Sequence, residues 1–471
     1  MTPRRTKNLR MPPPPPEPLT QIHPHAAGID IHLDEHWVAV PPDSAIPPSA
    51  DPPSNLPPHV RKFRTCTADL EMLADWLTAC GITTVAMEST GIYWIPLFEL
   101  LERRGFQVNL IDPRQTKHVP GRPKSDCLDC QWIQRLHSYG LLAPSFRPAD
   151  DVVVLRSYLR QRLMLISYGS QHVAHMHKAL EQMNVKLSVV ISDITGVTGM
   201  AIIKAILAGE RDPLQLALLR DDRCKCTQAE IARALYGNWR EDHLFELQQA
   251  VSLYQTYQAH LHACDLRLEA YLKTFPDQSG GKKLGPNTRK RQRRNSAIQF
   301  DTRTLLYRFS GVDLTIIEGI DEATALVVLS EIGRDMSKWP TDKHFVSWLG
   351  LCPVKDESNG KDKKRRRRRH ANRAARAFRL AAQGCHHAKT ALGAFYRRIQ
   401  ARCGGPKAVL ATARKIAERV YRLLKYGEEY VRQDMATYEE THRRRTLKAL
   451  ARKAQELGYH LVPQTAADAT P

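Results

Sequence analysis

The chain has 471 residues, long enough for two or three domains that each bury a core, so a single small module is excluded. Its 70 Lys and Arg outnumber 49 Asp and Glu for a formal net charge of +21, and a surface that basic draws polyanions through counterion release, beyond what solubility requires. No apolar run reaches the roughly eighteen residues of a membrane span, and the N-terminus lacks the apolar core of a secretory signal, so a cytoplasmic, nucleoid-associated protein with no membrane partner is expected.

More than half of the 30 prolines precede residue 59, in a run over residues 11–18 and another over 41–58. Proline fixes φ and donates no backbone hydrogen bond, so residues 1–25 read as a disordered tail and 41–58 as a loop inserted between two strands. Around them GIDIHL, HWVAV and VRKFRT alternate as strands. Ala68 to Cys80 has helical spacing, with Leu70, Leu73, Trp76 and Leu77 on one face. ITTVAME is a buried strand, Tyr93 to Arg104 a helix, QVNLID a strand, and Asp126 to Tyr139 a helix closed by Gly140. A strand meander followed by alternating strands and helices predicts an α/β domain with a mixed sheet over residues 26–150.

Residues 151–304 read as a helical region. Leu247, Tyr254, Leu261, Leu268 and Phe275 stand seven apart, with Leu244, Val251 and Leu272 as companions and polar interruptions at Gln258 and Asp265. That pattern suits a coiled coil that dimerises and equally an intramolecular hairpin. Residues 276–300 form a Gly-rich, basic linker. Residues 305–431 read as a second, mainly α domain, and 432–471 as a tail. Within the second domain, IIEGIDEATALVVLSEIG has the character of a helix-hairpin-helix, in which the turn at Gly319 presents backbone N–H groups to phosphate. ITGVTGMAIIKAILAGER repeats the arrangement with Gly196 in the matching place, and a plain helix-helix turn is the alternative.

Asp30 lies inside an apolar strand, where a carboxylate is costly unless it faces a cation. Glu88 ends the strand ITTVAME, and Asp126 and Asp129, three apart at a helix start, share one face. Each acid alone has an ordinary structural reading; four converging from two strands and a helix suit two Mg²⁺ ions, which need hard oxygen ligands. Asp34, Glu35 and Asp112 would substitute if the strand register slipped. The ten cysteines fit reduced thiols: Cys127 and Cys130 form one CxxC, and Cys224 with Cys226 is too tight to complete a zinc site.

GIDIH, AMESTGIYWIPLFELLERRG, IDPRQTKHVPGRPKSDCLDCQWIQRLHSYGLL and WLGLCPVKDESNGK resemble, in the same order, the DEDD transposases of the insertion sequence one-ten family, relatives of the Piv invertase. ALEQMN, ISDITGVTGMAIIKAILAGERDP and LLKYGEEYV are similar to its eleven-eleven subgroup. The resemblance implies a RuvC-like, ribonuclease H-type α/β N-terminal domain, an α-helical coiled-coil region and a mainly α C-terminal transposase domain. It places the metal acids at Asp30, Glu88, Asp126 and Asp129.

Ser358 lies in DESNGKDKKRRRRRH, ahead of Lys361, Lys363, Lys364, Arg365, Arg366, Arg367, Arg368 and Arg369. Alone, it reads as a loop hydroxyl beside a phosphate-binding strip. The family carries a serine before a Gly-Lys pair, so the resemblance makes Ser358 the nucleophile; Asn359 replaces a glycine common there, and Asn tolerates the left-handed region. The resemblance further implies strand exchange through a phosphoserine, donor and target DNA selected by a structured non-coding guide RNA, and homodimers that pair into tetramers. A RuvC-like structure-selective endonuclease and a non-catalytic nucleic-acid-binding protein are the competing readings.

Overall fold

The computed structural model describes residues 20–47, 56–116, 125–286, 296–352, 357–358, 361–362 and 372–462. The chain divides into two compact units, Met1–Arg147 and Pro148–Pro471.

The first unit is built on a five-stranded mixed sheet of β1 (Ala26–Ile31), β2 (Glu35–Ala39), β3 (Val60–Arg64), β4 (Thr84–Glu88) and β5 (Gln107–Ile111). The strand order is β3-β2-β1-β4-β5. β1, β2 and β3 form the antiparallel meander expected from the sequence, with Asp30 opposite Trp37. β4 and β5 then run parallel to β1, with Ile29 beside Met87 and Glu88 beside Ile111. β1 and β4 are buried throughout, the mark of strands covered on both faces.

On one face α1 (Thr67–Ala79) and α2 (Trp94–Arg103) bury Leu70, Leu73, Leu77, Leu97 and Leu101 against Ile29, Ile31, Val38, Val85 and Met87. On the other, α3 (Asp126–Ser138) brings Cys130 and Ile133 onto Ala39, Ala86 and Ile111. The small residues on that second face have a consequence. A Cβ on Gly28 would stand 2.1 Å from the Gln134 backbone nitrogen and 2.5 Å from the Cys130 carbonyl oxygen, so α3 lies with its backbone directly over β1.

The second unit is helical. Two long antiparallel helices form its spine, α4 (Asp150–Gln182) and a return helix, Glu241–Thr274. The short helices between them, Val197–Leu207 and Gln228–Leu235 among them, close a core at the tip with Met176, Leu180, Leu244, Leu247, Val251 and Tyr254. The heptad residues are therefore buried against a partner in the same chain, the hairpin of the two sequence readings. The polar heptad position Asp265 is buried, and its carboxylate accepts hydrogen bonds from Arg162 of α4 at 2.5 and 3.2 Å. Arg162 also donates to the Ser296 carbonyl at 3.0 Å, tying down the far end of the basic linker.

The spine continues into the C-terminal helices. Arg156 and Arg160 of α4 hold the Glu322–Ile332 helix, Arg160 through a bidentate pair to Glu331 at 2.9 and 2.8 Å. Beyond it, Trp339, Phe345, Phe378 and Tyr421 form an aromatic core, with the Tyr421 hydroxyl donating to the Trp339 carbonyl at 2.7 Å. Among the described residues no helix is long and apolar enough to cross a membrane.

The Arg162–Asp265 pair yields a test. Asp265→Ala strands a buried guanidinium and should cost about 3–5 kcal/mol, whereas Arg162→Met with Asp265→Leu removes both charges and should recover most of that loss. Urea midpoints for the three proteins check it, and a double variant no better than the single would count against the pair as the source of the cost.

Candidate metal centre and serine hairpin

Residues paired across strands share a sheet face, so Gly28 and Asp30 of β1 lie on the side of Ala39 and Trp37, and Ala86 and Glu88 of β4 lie there with Gly28. This is the face that α3 covers. Asp30 and Glu88 stand at the C-terminal ends of adjacent parallel strands, 8% and 9% exposed. The start of α3 supplies the third acid: the Ser125 hydroxyl caps the Leu128 N–H at 3.3 Å, and Asp126 and Asp129 occupy the first turn, where the helix dipole favours negative charge.

The acids meet around His32. Its Nε2 lies 3.1 Å from Asp30 Oδ2 and 3.6 Å from Asp126 Oδ1, and the donor atoms of the three residues fall within 4.8 Å of one another. Burial pushes the Asp30 carboxyl above its usual range, the negative charges of Glu88 and Asp126 push it the same way, and His32 opposes them. Glu88 is steadied by Thr116, whose hydroxyl donates to Oε1 at 2.6 Å. Three of the four acids named from the sequence thus act on one another; Asp129 sits half-buried one turn along α3, outside the three-residue group. The alternates are elsewhere: Asp34 is exposed, Glu35 pairs with Lys62 at 3.4 Å, and Asp112 takes the Arg114 backbone N–H at 2.9 Å.

This donor set fits a hard divalent cation. Two buried carboxylates and a third at the rim repel one another, which raises the Asp30 proton affinity, and a cation bound between them relieves that repulsion. Asp30 and Asp126 would hold it, with Glu88 and Asp129 completing the oxygen ligands and His32 either joining as a nitrogen ligand or giving way. The sequence reading placed His32 inside the strand GIDIHL and gave it no role; the available signal was its i+2 spacing from Asp30. Thr116 carried no pattern at all. The cysteines are free: Cys130 Sγ donates to the Cys127 carbonyl at 3.2 Å, and burial pushes its thiol up to about 12.

Ser358 lies in the second unit. It ends β6 (Glu357–Ser358), which pairs antiparallel with β7 (Lys361–Asp362), Ser358 opposite Lys361. Two residues join the strands, and the Asn-Gly sequence there is the strongest signal for a tight hairpin. Lys363, Lys364, Arg365, Arg366, Arg367, Arg368 and Arg369 lie outside the described residues. Gly319 takes φ +86°, and a Cβ there would meet the Ala381 carbonyl oxygen at 2.7 Å, so the turn backs onto the Arg373–Gly384 helix. Gly196, its expected counterpart, has φ −73° and caps the Val197–Leu207 helix, so the two segments do not repeat one backbone. At the Gly319 turn the Asp321 carboxylate accepts the Thr324 N–H at 2.7 Å, which sets a negative charge against phosphate at that helix start.

An α/β unit with clustered carboxylates at its strand ends, followed by a helical unit that holds the Ser358 hairpin and, in sequence, a run of basic residues, suits an enzyme that works on nucleic acid, and the comparisons narrow it to a transposase. Residues 27–185 match the family model of the DEDD transposase of IS110, the insertion sequence one-ten family, and residues 313–397 match the transposase IS116/IS110/IS902 family. The chain carries both domains of an IS110-family transposase, in order. No curated protein matches it significantly.

Two tests follow from the first unit. A Gly28→Ala substitution drives a methyl group into the α3 backbone and should lower stability by at least about 1–3 kcal/mol, read as an earlier denaturation midpoint; an unchanged midpoint would disprove the close approach. The second concerns His137, whose Nε2 meets the Thr84 hydroxyl at 2.9 Å and whose pKa burial lowers from 6.5 to about 4. The unfolded chain then binds more protons than the folded one below pH 6.5, so stability falls as pH drops from 6.5 towards 4. His36, also lowered to about 4, adds to the same loss. In His137→Gln the acid-side fall in midpoint should be shallower than in the wild type; an equal slope would remove His137 from the account.

Proposed function

We propose that the chain is a transposase that exchanges DNA strands through a metal-dependent DEDD site of RuvC-like type, with Ser358 as nucleophile. The observation that carries this reading is the gathering of Asp30, Asp126 and His32, with Glu88 acting on Asp30, at the strand ends of the domain that matches the DEDD transposases. Asp30, Glu88, Asp126 and Asp129 are the residues that would hold divalent ions, two Mg²⁺ by the family resemblance. Ions so held activate an attacking oxygen and neutralise charge on the scissile phosphate.

The remaining chemistry belongs to the chain. The Ser358 hydroxyl oxygen attacks a DNA phosphorus, a serine–phosphate bond forms, and the deoxyribose oxygen of the broken strand leaves with a proton. The phosphodiester energy is kept in the phosphoserine, so a sugar hydroxyl from a second strand reverses the step and rejoins DNA without hydrolysis. The hairpin supports this role by placing Lys361 directly across the ladder from Ser358, and the basic run after it supplies cations to the phosphate backbone. The resemblance adds a structured guide RNA, recognised by shape and phosphate, that selects donor and target, and a homodimer that pairs into a tetramer.

The test is a denaturing gel of purified protein incubated with donor DNA, Mg²⁺ and the transcript flanking the gene. A covalent protein–DNA adduct should form with the wild type and vanish in Ser358→Ala and in Asp30→Asn. Cut DNA without adduct, unchanged in Ser358→Ala, would replace strand exchange with hydrolysis.

A further inference from the structure

The C-terminal helix Glu428–Glu456 changes character along its length. Its first half is acidic and anchored. Val431 is buried, Glu428 accepts the Asp313 N–H at 2.7 Å, and the Glu439 carboxylate accepts the Ala391 N–H at 2.9 and 3.1 Å. Asp434 faces Arg419 and Arg422 at 3.9 and 3.6 Å, and the Tyr438 ring lies under Lys415 and Arg419.

From Arg443 onward the helix has no such anchors among the described residues. Arg443, Arg444, Arg445, Lys448, Arg452 and Lys453 are all exposed, against a single acid, Glu456, paired with Arg452 at 3.6 Å. Arg444, Lys448 and Arg452 fall in one row at four-residue steps, about 6 Å apart along the axis, and Arg445 flanks them. Like charges at this spacing destabilise a helix, and a helix polar over most of its surface normally relies on oppositely charged pairs to persist. Here three like charges stand in succession, with one acid of the same row at each end, Glu440 before Arg444 and Glu456 after Arg452. A polyanion laid along the row removes the repulsion, and the counterions it releases favour the complex further.

We propose that residues 441–456 form a DNA-binding arm, in which Arg444, Arg445, Lys448 and Arg452 contact the phosphate backbone of duplex DNA. The arm lies outside both family-matched segments, which end at residues 185 and 397. The choice of DNA rests on the transposase reading; the charge argument does not. The exposed Leu450 and Leu457 lie on the side of the helix away from the basic row, while Leu447, three residues after Arg444, borders it.

The test uses the full chain and a labelled DNA duplex, with affinity measured by fluorescence anisotropy across a salt series. Arg444→Gln, Lys448→Gln and Arg452→Gln together should flatten the slope of log affinity against log salt by nearly 3, at about 0.9 for each phosphate no longer neutralised. Glutamine retains helix propensity, so circular dichroism should be unchanged. Arg443→Gln with Lys453→Gln, off the row, should leave the slope nearly as it was. An unchanged slope in the triple variant, or an equal loss per charge in the off-row variant, overturns the proposal. So does a result in which Leu447→Gln with Leu450→Gln abolishes DNA binding and self-association while the triple variant binds normally, which assigns the helix to a second copy of the chain. A wild-type chain that binds no duplex, or wild-type binding equalled by the triple variant, refutes the arm, whereas the transposase reading stands or falls on the covalent adduct, so the two failures are told apart.

Discussion

The first unit depends on the approach of α3 to β1 over Gly28. A Cβ at that position would overlap two backbone atoms of the helix, and this closeness brings the first turn of α3 to the C-terminal ends of β1 and β4. Everything chemical in the unit follows from it. Asp126 reaches the His32 imidazole, and Asp30 and Glu88, already neighbours through the parallel register, gain a third negative charge. The small residues Ala39 and Ala86 on the same face extend the close packing, while the bulky aliphatic core lies on the opposite face, under α1 and α2. One side of the sheet thus supplies stability from large apolar side chains, and the other gives up side-chain volume to hold a helix terminus in place.

The second unit meets a different constraint. A long helical hairpin can slide by a heptad at little cost in apolar burial, and a buried charge pair prevents it. Arg162 and Asp265 satisfy each other in only one register, and the third Arg162 bond, to Ser296, fixes where the basic linker returns to the spine. Arg156 and Arg160 do the same for the Glu322–Ile332 helix through Glu331. Arginine is used at both junctions, where its planar fork sets orientation as well as charge.

What the sequence displays and what it conceals divide along physical lines. Alternation and helical spacing carry the burial of side chains, so every strand of the sheet and the apolar face of α1 were legible, and with them the placing of Asp30 and Glu88 on strands and of Asp126 at a helix start. Heptad spacing showed which face of the return helix is apolar; it did not show whether α4 or another chain covers that face, because periodicity describes one surface only. Gly28 gave no signal because its role is the absence of a side chain, and His32 gave a weak one because a single i+2 spacing from Asp30 within a strand is common without any shared site. The likeness of the Gly196 and Gly319 segments misled for the converse reason: similar residues there adopt φ of opposite sign, which composition does not record.

The distribution of charge then makes sense as a division of labour. A net charge of +21 draws DNA towards the chain, yet the carboxylates at the strand ends of the first unit would repel a phosphate arriving there. A centre of that kind cannot recruit its own substrate by side-chain charge. Recruitment has to be carried by basic elements elsewhere on the chain, and the acids must be kept from neutralising them. The fold does this by burying Asp30 and Glu88 and by committing Glu428, Asp434 and Glu439 of the C-terminal helix to anchoring its first half, so that from Arg443 onward six basic residues face one acid.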